Sequence, residues 1–231
     1  MRHRRLLAAT LLAGWASVAA AQDNSNLIPG DRDASAQVAK IVAAAEAAGL
    51  PTNAIVGKVR YGVVVRHANP GLIVAAATTV ASRLETARDA LAPNPTHPEI
   101  EAGAAALGEN ATPDALRKVR RAGGSRPIAT ALGVLTQLLT SNVSLDSATA
   151  IVTELIRRGA TPAQLTAFVS DYTADIAGGT KAQAAIDVRA RGLIAVLAAP
   201  SGSVTAADFA APAQGLTSSG TRNNPPKPKR P

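Results

Sequence analysis

The segment Ser144–Tyr172, SLDSATAIVTELIRRGATPAQLTAFVSDY, carries two helices and the punctuation between them. Ser144 is placed to cap a first helix, and Ala148, Ile151 and Leu155 follow at spacings of three and four. Arg157-Arg158-Gly159 closes it with cations at the negative end of the helix dipole and a glycine able to take the left-handed C-terminal conformation. Thr161-Pro162 restarts a helix at once, because proline at the first helical position gives up only an amide that has no helical partner. Leu165, Phe168, Val169 and Tyr172 then mark one apolar face. So short a connection predicts that the two helices pack as antiparallel neighbours.

The same grammar extends in both directions. Asp33 is positioned to cap a helix to Ala48, with Val38, Ile41, Val42 and Ala45 inward and Gly49 as its stop. Thr52 opens the next, with Ile55, Val56, Val59 and Val63 on one side; the β-prone run Gly62–Val65 lies inside this pattern and is read as helix. Asn69-Pro70 starts the longest helix, whose Ile73, Ala77, Val80, Leu84, Ala87 and Leu91 make a heptad seam suited to a bundle core. Ala92-Pro93-Asn94-Pro95 breaks the chain. Thr96 and Glu99 have the spacing of a capping box for a helix ending at Gly108, and Thr112-Pro113 begins one ending near Gly123-Gly124. Ser125-Arg126-Pro127 leads into a helix with Ile128, Leu132, Leu135 and Leu139 inward. Thr180 and Gln183 suggest a second capping box, for a helix carrying Ile186, Leu193 and Leu197 and ending at Pro200.

This predicts an all-α fold of about nine helices, an irregular bundle or short array of αα-hairpins. Three stretches, from Thr52, Thr112 and Ser144, each read as capped helix, turn, second helix, and Lys58-Val59-Arg60 recurs as Lys118-Val119-Arg120. They differ in length and lack the signature positions of tetratricopeptide or ankyrin repeats. The expected organisation is a hairpin region over 22–91, a proline-rich linker over 92–98, a second hairpin region over 99–199, and a tail over 200–231. With aromatic residues so scarce, the core has to be built from Ala, Val, Leu and Ile. An alanine methyl contributes only about 0.8 kcal/mol on burial against about 1.5–3 for Leu or Phe, so many close helix contacts are required.

The ends carry different information. Arg2, Arg4 and Arg5, the apolar run Leu6–Val18 and Ala19-Ala20-Ala21 read as a secretory signal peptide over 1–21, which predicts a periplasmic or secreted protein. No later run is long and apolar enough to span a bilayer. The chain has no cysteine, which excludes disulfides, thiolate chemistry and a lipid-modified cysteine together. From Ser201 the periodicity fades into a stretch rich in Ala, Gly, Ser, Thr and Pro, ending Asn223-Asn224-Pro225-Pro226-Lys227-Pro228-Lys229-Arg230-Pro231, the composition of a disordered tail.

The formal charge of +8 is unevenly placed: the three leader arginines and Arg222, Lys227, Lys229 and Arg230 account for seven, so the body is nearly neutral. That argues against nucleic acid as the partner, as does export. The one cationic cluster within the fold is Arg117, Lys118, Arg120, Arg121 and Arg126, opposed locally by Asp114; it is the candidate anion-binding patch, with the four tail cations as candidate contacts.

Catalytic signatures are missing from the sequence. It has no nucleophile elbow, phosphate-binding glycine loop or His-Glu-x-x-His motif, and His67 and His97 have no second metal ligand at helical spacing. Asp31-Arg32-Asp33 lacks the glycine and terminal glutamate of a calcium loop. Glu99 and Glu101 point to different helix faces, and Asp171 and Asp175 share one as surface charges. The reading that follows is an exported, non-catalytic helical domain without a cofactor, binding a protein or an acidic envelope polymer. An enzyme with its site dispersed over several helices and a structural or assembly factor are the alternatives.

Overall fold

The computed structural model describes residues 27–199; the leader over 1–21 and the tail over 200–231, with Arg222, Lys227, Lys229 and Arg230, lie outside the described residues. Among the described residues there are nine α-helices and no strand: α1 (Arg32–Ala47), α2 (Asn53–Val64), α3 (Pro70–Ala90), α4 (His97–Gly108), α5 (Pro113–Gly123), α6 (Ala129–Thr140), α7 (Leu145–Arg157), α8 (Pro162–Ala177) and α9 (Ala182–Ala198). The all-α expectation holds, and none of these helices is long and apolar enough to cross a membrane.

Most helix ends follow from one local device. At Gly49, Asn110, Asn142, Gly159 and Gly179 the chain turns left-handed, with φ between 61° and 89°. The next residue's amide then reaches back to a carbonyl in the last helical turn, as Leu50 does to Ala45, Ala111 to Ala106, Val143 to Leu138 and Ala160 to Leu155. Such a turn satisfies carbonyls the helix leaves unpaired and buries the residue after it. Leu50, Ala111 and Val143 are all buried. A capping residue follows within two positions: the hydroxyl oxygens of Thr112, Ser144 and Thr161 accept from the amides of Ala115, Ser147 and Gln164. The chain can therefore stop and restart a helix in about four residues.

Two local expectations are corrected, at the starts of α1 and α9. Asp31, not Asp33, caps α1, accepting from the Ala34 amide at 2.8 Å, while Asp33 lies exposed in the first turn. The lead into α1 joins the core at its end: Ile28 is buried, and its amide and carbonyl both bond to the buried Ser35 hydroxyl at 3.1 Å. At α9 the cap residue is Lys181, with no side-chain cap; Gln183 donates instead to Asp187 one turn on.

The packing also departs from simple hairpins. α2 packs on α3, α3 on α4, and α8 on α9, each on its neighbour along the chain. From α4 onward the two largest interfaces skip a helix, α4 packing on α6 and α5 on α7, and α6 packs on α8 as well as on α7. The direct α7–α8 interface expected across Arg158–Thr161 is not among the substantial ones; α7 lies on α5 and α6, and α8 on α6 and α9. A short connection brings helix ends together but does not align their axes, and the large apolar faces find partners two helices away.

α3 is the centre of the N-terminal half, packed against α1, α2, α4 and α5. Its heptad seam is buried along its length, with Val80 half-buried. The Ala92–Thr96 turn returns the chain so that α4, which begins at His97 within the expected linker, lies along α3. Small residues bring the two close: a Cβ on Gly103 would stand 3.1 Å from Ala87 Cβ and 3.0 Å from Leu91 Cδ1. One apolar cluster runs from Ile28 to Ala190. Among the described residues Phe168 and Tyr172 are its only aromatic members, so alanine and branched aliphatics fill the interior.

Candidate functional site

The cationic cluster of α5 separates into cations used by the fold and cations left at the surface. Glu99, in the first turn of α4, is 3% exposed. Its Oε2 accepts from the Thr96 amide at 2.9 Å, and its Oε1 accepts from Arg120 Nη1 at 2.9 Å and from the Ile128 amide at 3.0 Å. One carboxylate thus sits at the positive ends of both α4 and α6 and neutralises a cation in the last turn of α5. Burial alone would raise the Glu99 pKa; the two amide hydrogen bonds and the Arg120 charge outweigh it, and the carboxyl is held below its ordinary value.

The α5–α6 turn is shaped to deliver that amide. Gly124 takes φ 59° and ψ −122°, a conformation closed to side chains, and the chain doubles back so that Ile128 packs on Gly123. A Cβ on Gly123 would stand 2.3 Å from Ile128 Cγ2. Gly123→Ala should therefore cost about 1–3 kcal/mol in urea unfolding, since Ile128 is held by its own hydrogen bond and cannot step aside. Arg126 is committed as well: its Nη2 donates to the Ile156 carbonyl at 2.6 Å, at the C-terminal end of α7. Arg117 pairs with Asp114. Lys118 and Arg121 remain at the surface of α5, Arg121 donating to the Arg117 carbonyl.

A different set of cations surrounds a concavity that the sequence reading did not single out. A cleft of about 680 Å³ opens between α2, α3 and α4. Lys58 and Tyr61 enter it from α2, Arg66 from the turn after α2, Arg83 from α3, Glu101 from α4 and Glu109 from the C-terminal cap of α4. Tyr61 is 45% exposed, and Lys58 Nζ and Arg66 Cζ stand 5.8 and 5.9 Å from its ring centroid. Both cations are at cation–π distance, so they flank the ring rather than wander from it. The Tyr61 carbonyl accepts from the amides of Val65 and Arg66, which folds the end of α2 and brings Arg66 back over the ring.

Arg83 reaches the same cleft because Gly108 has no side chain: a Cβ there would stand 3.1 Å from Arg83 Nη1. Gly57 leaves open space above the α2 backbone. Among the described residues, no carboxylate lies within ion-pair distance of Lys58, Arg66 or Arg83; they share this with other surface cations such as Lys118 and Arg121, and differ from them in converging on one concavity. No motif in the sequence marks this site. The signal available was Lys58, Tyr61 and Val65 at spacings of three and four on a helix whose opposite face is Ile55, Val56 and Val59.

Glu101 lies on the cleft while Glu99 is buried, so the two carboxylates do not converge. Asp171 and Asp175 both receive Arg189 of α9; the Arg189 hydrogen bond holds the Asp175 carboxyl below its ordinary value. His67 and His97 are exposed, and among the described residues no group of three or more His, Asp or Glu is placed to hold a metal ion. A second, apolar groove of about 480 Å³ runs between α8 and α9, lined by Phe168, Val188, Leu193 and Val196. Comparison of the chain with protein-family models, with curated proteins and with solved structures gives no match.

Proposed function

We propose that the chain is an exported, non-catalytic helical domain that binds an anionic partner, a protein or an acidic component of the cell envelope, through the cleft at Tyr61. The observation that carries this reading is the gathering of Lys58, Arg66 and Arg83, without carboxylate partners among the described residues, around an exposed aromatic ring. Cations in a concave, partly apolar wall raise the local concentration of an anion and give it a fixed orientation, whereas cations on an open helix face are screened individually. Glu99, among the described residues the one buried carboxylate, is consumed in joining α4, α5 and α6, which leaves it unsuited to proton transfer.

The leader over 1–21 directs export, and the tail cations with Lys118 and Arg121 add loose, salt-sensitive contacts. Four cations near an anionic surface contribute on the order of 1 kcal/mol each, screened over about 8 Å at physiological salt. Lys58→Glu with Arg83→Glu should lower retention on an acidic matrix on the order of ten-fold at low salt, with the melting curve unchanged. Deletion of residues 222–231 should produce a smaller loss. Retention by the parent chain that does not depend on salt would contradict the proposal, and N-terminal sequencing of exported material that still began at Met1 would remove its export component.

A further inference from the structure

Beside the cationic cleft lies a corner of exposed aliphatic side chains that the core does not use. Val64, Val65 and Leu72 are 62%, 58% and 67% exposed, among the most exposed large aliphatic side chains of the described residues. They lie where α2 ends and α3 begins. The last turn of α2 approaches the first turn of α3 so closely that a Cβ on Gly62 would stand 3.2 Å from Ile73 Cγ1. The Ala68 amide bonds back to the Gly62 carbonyl at 3.0 Å, which closes the corner. Val64 and Val65 follow Tyr61 by three and four residues, so the apolar corner continues the helix face that presents the ring.

Resting on the proposed anion-binding role of the cleft, we infer that its partner is an acidic peptide segment in which carboxylates alternate with aliphatic side chains. Lys58, Arg66 and Arg83 receive the carboxylates, Tyr61 and the Val64–Val65–Leu72 corner receive the aliphatic groups, and Gly57, Ala104, Ala105 and Gly108 form a low floor over which an extended chain can pass. Charge complementarity selects the sign of the ligand, and the wall selects its pattern. Glu101 and Glu109 line the same cleft, so a uniform polyanion meets repulsion at the α4 side, where a peptide can present amide donors instead. An anionic polysaccharide supplies no aliphatic groups for the corner.

The test is fluorescence anisotropy of the full chain with two labelled peptides of equal charge and length, one alternating glutamate with leucine and one alternating glutamate with serine. Oligogalacturonate and vesicles containing anionic lipid serve as competitors. The glutamate–leucine peptide should bind more tightly on the order of ten-fold, the effect of burying one or two aliphatic side chains. Val65→Ser with Leu72→Ser should erase that difference while leaving the glutamate–serine affinity in place, and Lys58→Glu with Arg83→Glu should weaken both. All four positions are on the surface or cleft wall, and unchanged melting curves verify that the variants fold. Equal binding of both peptides would overturn the assignment of the corner and leave anion binding intact. Preferential binding of the polysaccharide or vesicles, with neither peptide retained, would overturn the peptide class alone. Binding of none of the four would overturn this inference together with the proposed function.

Discussion

Glu99→Ala is expected to destabilise the fold by about 3–5 kcal/mol, the range for removing one partner of a buried ion pair. The substitution strands the Ile128 amide and the Arg120 guanidinium, whose side chain is only 16% exposed, and removes the negative charge from the starts of α4 and α6. Urea unfolding monitored by circular dichroism measures it directly. Glu99→Gln keeps the shape and one acceptor but not the charge, so it separates packing from electrostatics.

The pH dependence has a definite sign. The folded-state pKa of Glu99 is lowered from the ordinary 4.5, so its ionisation contributes stability that is fully present above about pH 4.5 and is lost as pH falls through the lower folded value. The stability gap between the parent chain and Glu99→Gln should therefore be constant near neutrality and narrow in acid. A gap that widened on acidification would mean that Glu99 is protonated in the native protein.

Phe168→Ala is the second large effect, about 3–5 kcal/mol, since Phe168 is 4% exposed and packs where α8 meets its neighbours. Pro162→Ala, six residues earlier, should change little, because the amide it restores lies in the first turn of α8 and needs no helical partner. Tyr172→Phe should fall within about 1 kcal/mol of the parent: the ring is fully buried, and among the described residues its hydroxyl has no hydrogen-bond partner. Comparable losses for Phe168→Ala and Pro162→Ala in the same unfolding assay would reject the inward face assigned to α8.

How far the sequence could be read follows from how local each determinant is. Helix starts at Asn69-Pro70, Thr112-Pro113 and Thr161-Pro162 and the inward faces of α3 and α8 were legible because caps and periodicity act within one or two turns. Asn110 and Asn142 carried the same stop signal as Gly49 and Gly159 but were not read as such. Asparagine tolerates the left-handed conformation, and each is followed by an apolar residue and then a cap. The exchange of partners among α5, α6, α7 and α8 was not legible, since it depends on which apolar faces match across the array and not on any connection length.

Charge was the least legible quantity. Arg120 and Arg126 stood with Arg117, Lys118 and Arg121 as one patch in the sequence, yet Arg120 turns to Glu99 of α4 and Arg126 to the carbonyl of Ile156, 21 and 30 residues away. Glu99 was correctly assigned to its own cap, but a second role on Ile128 could not be seen without knowing that α4 packs on α6. The cleft at Tyr61 was hidden for the same reason, its walls coming from α2, α3 and α4 with no short motif among them.

The anionic partner is expected to sit between α2, α3 and α4. A nitrogen-15 chemical-shift titration of the full chain with the glutamate–leucine peptide locates it without any substitution. The account predicts shift changes concentrated at Gly57–Arg66, around Arg83 and at Glu101–Glu109. Changes confined to Arg117–Arg126 or to residues 222–231, with the Tyr61 region silent, would contradict it.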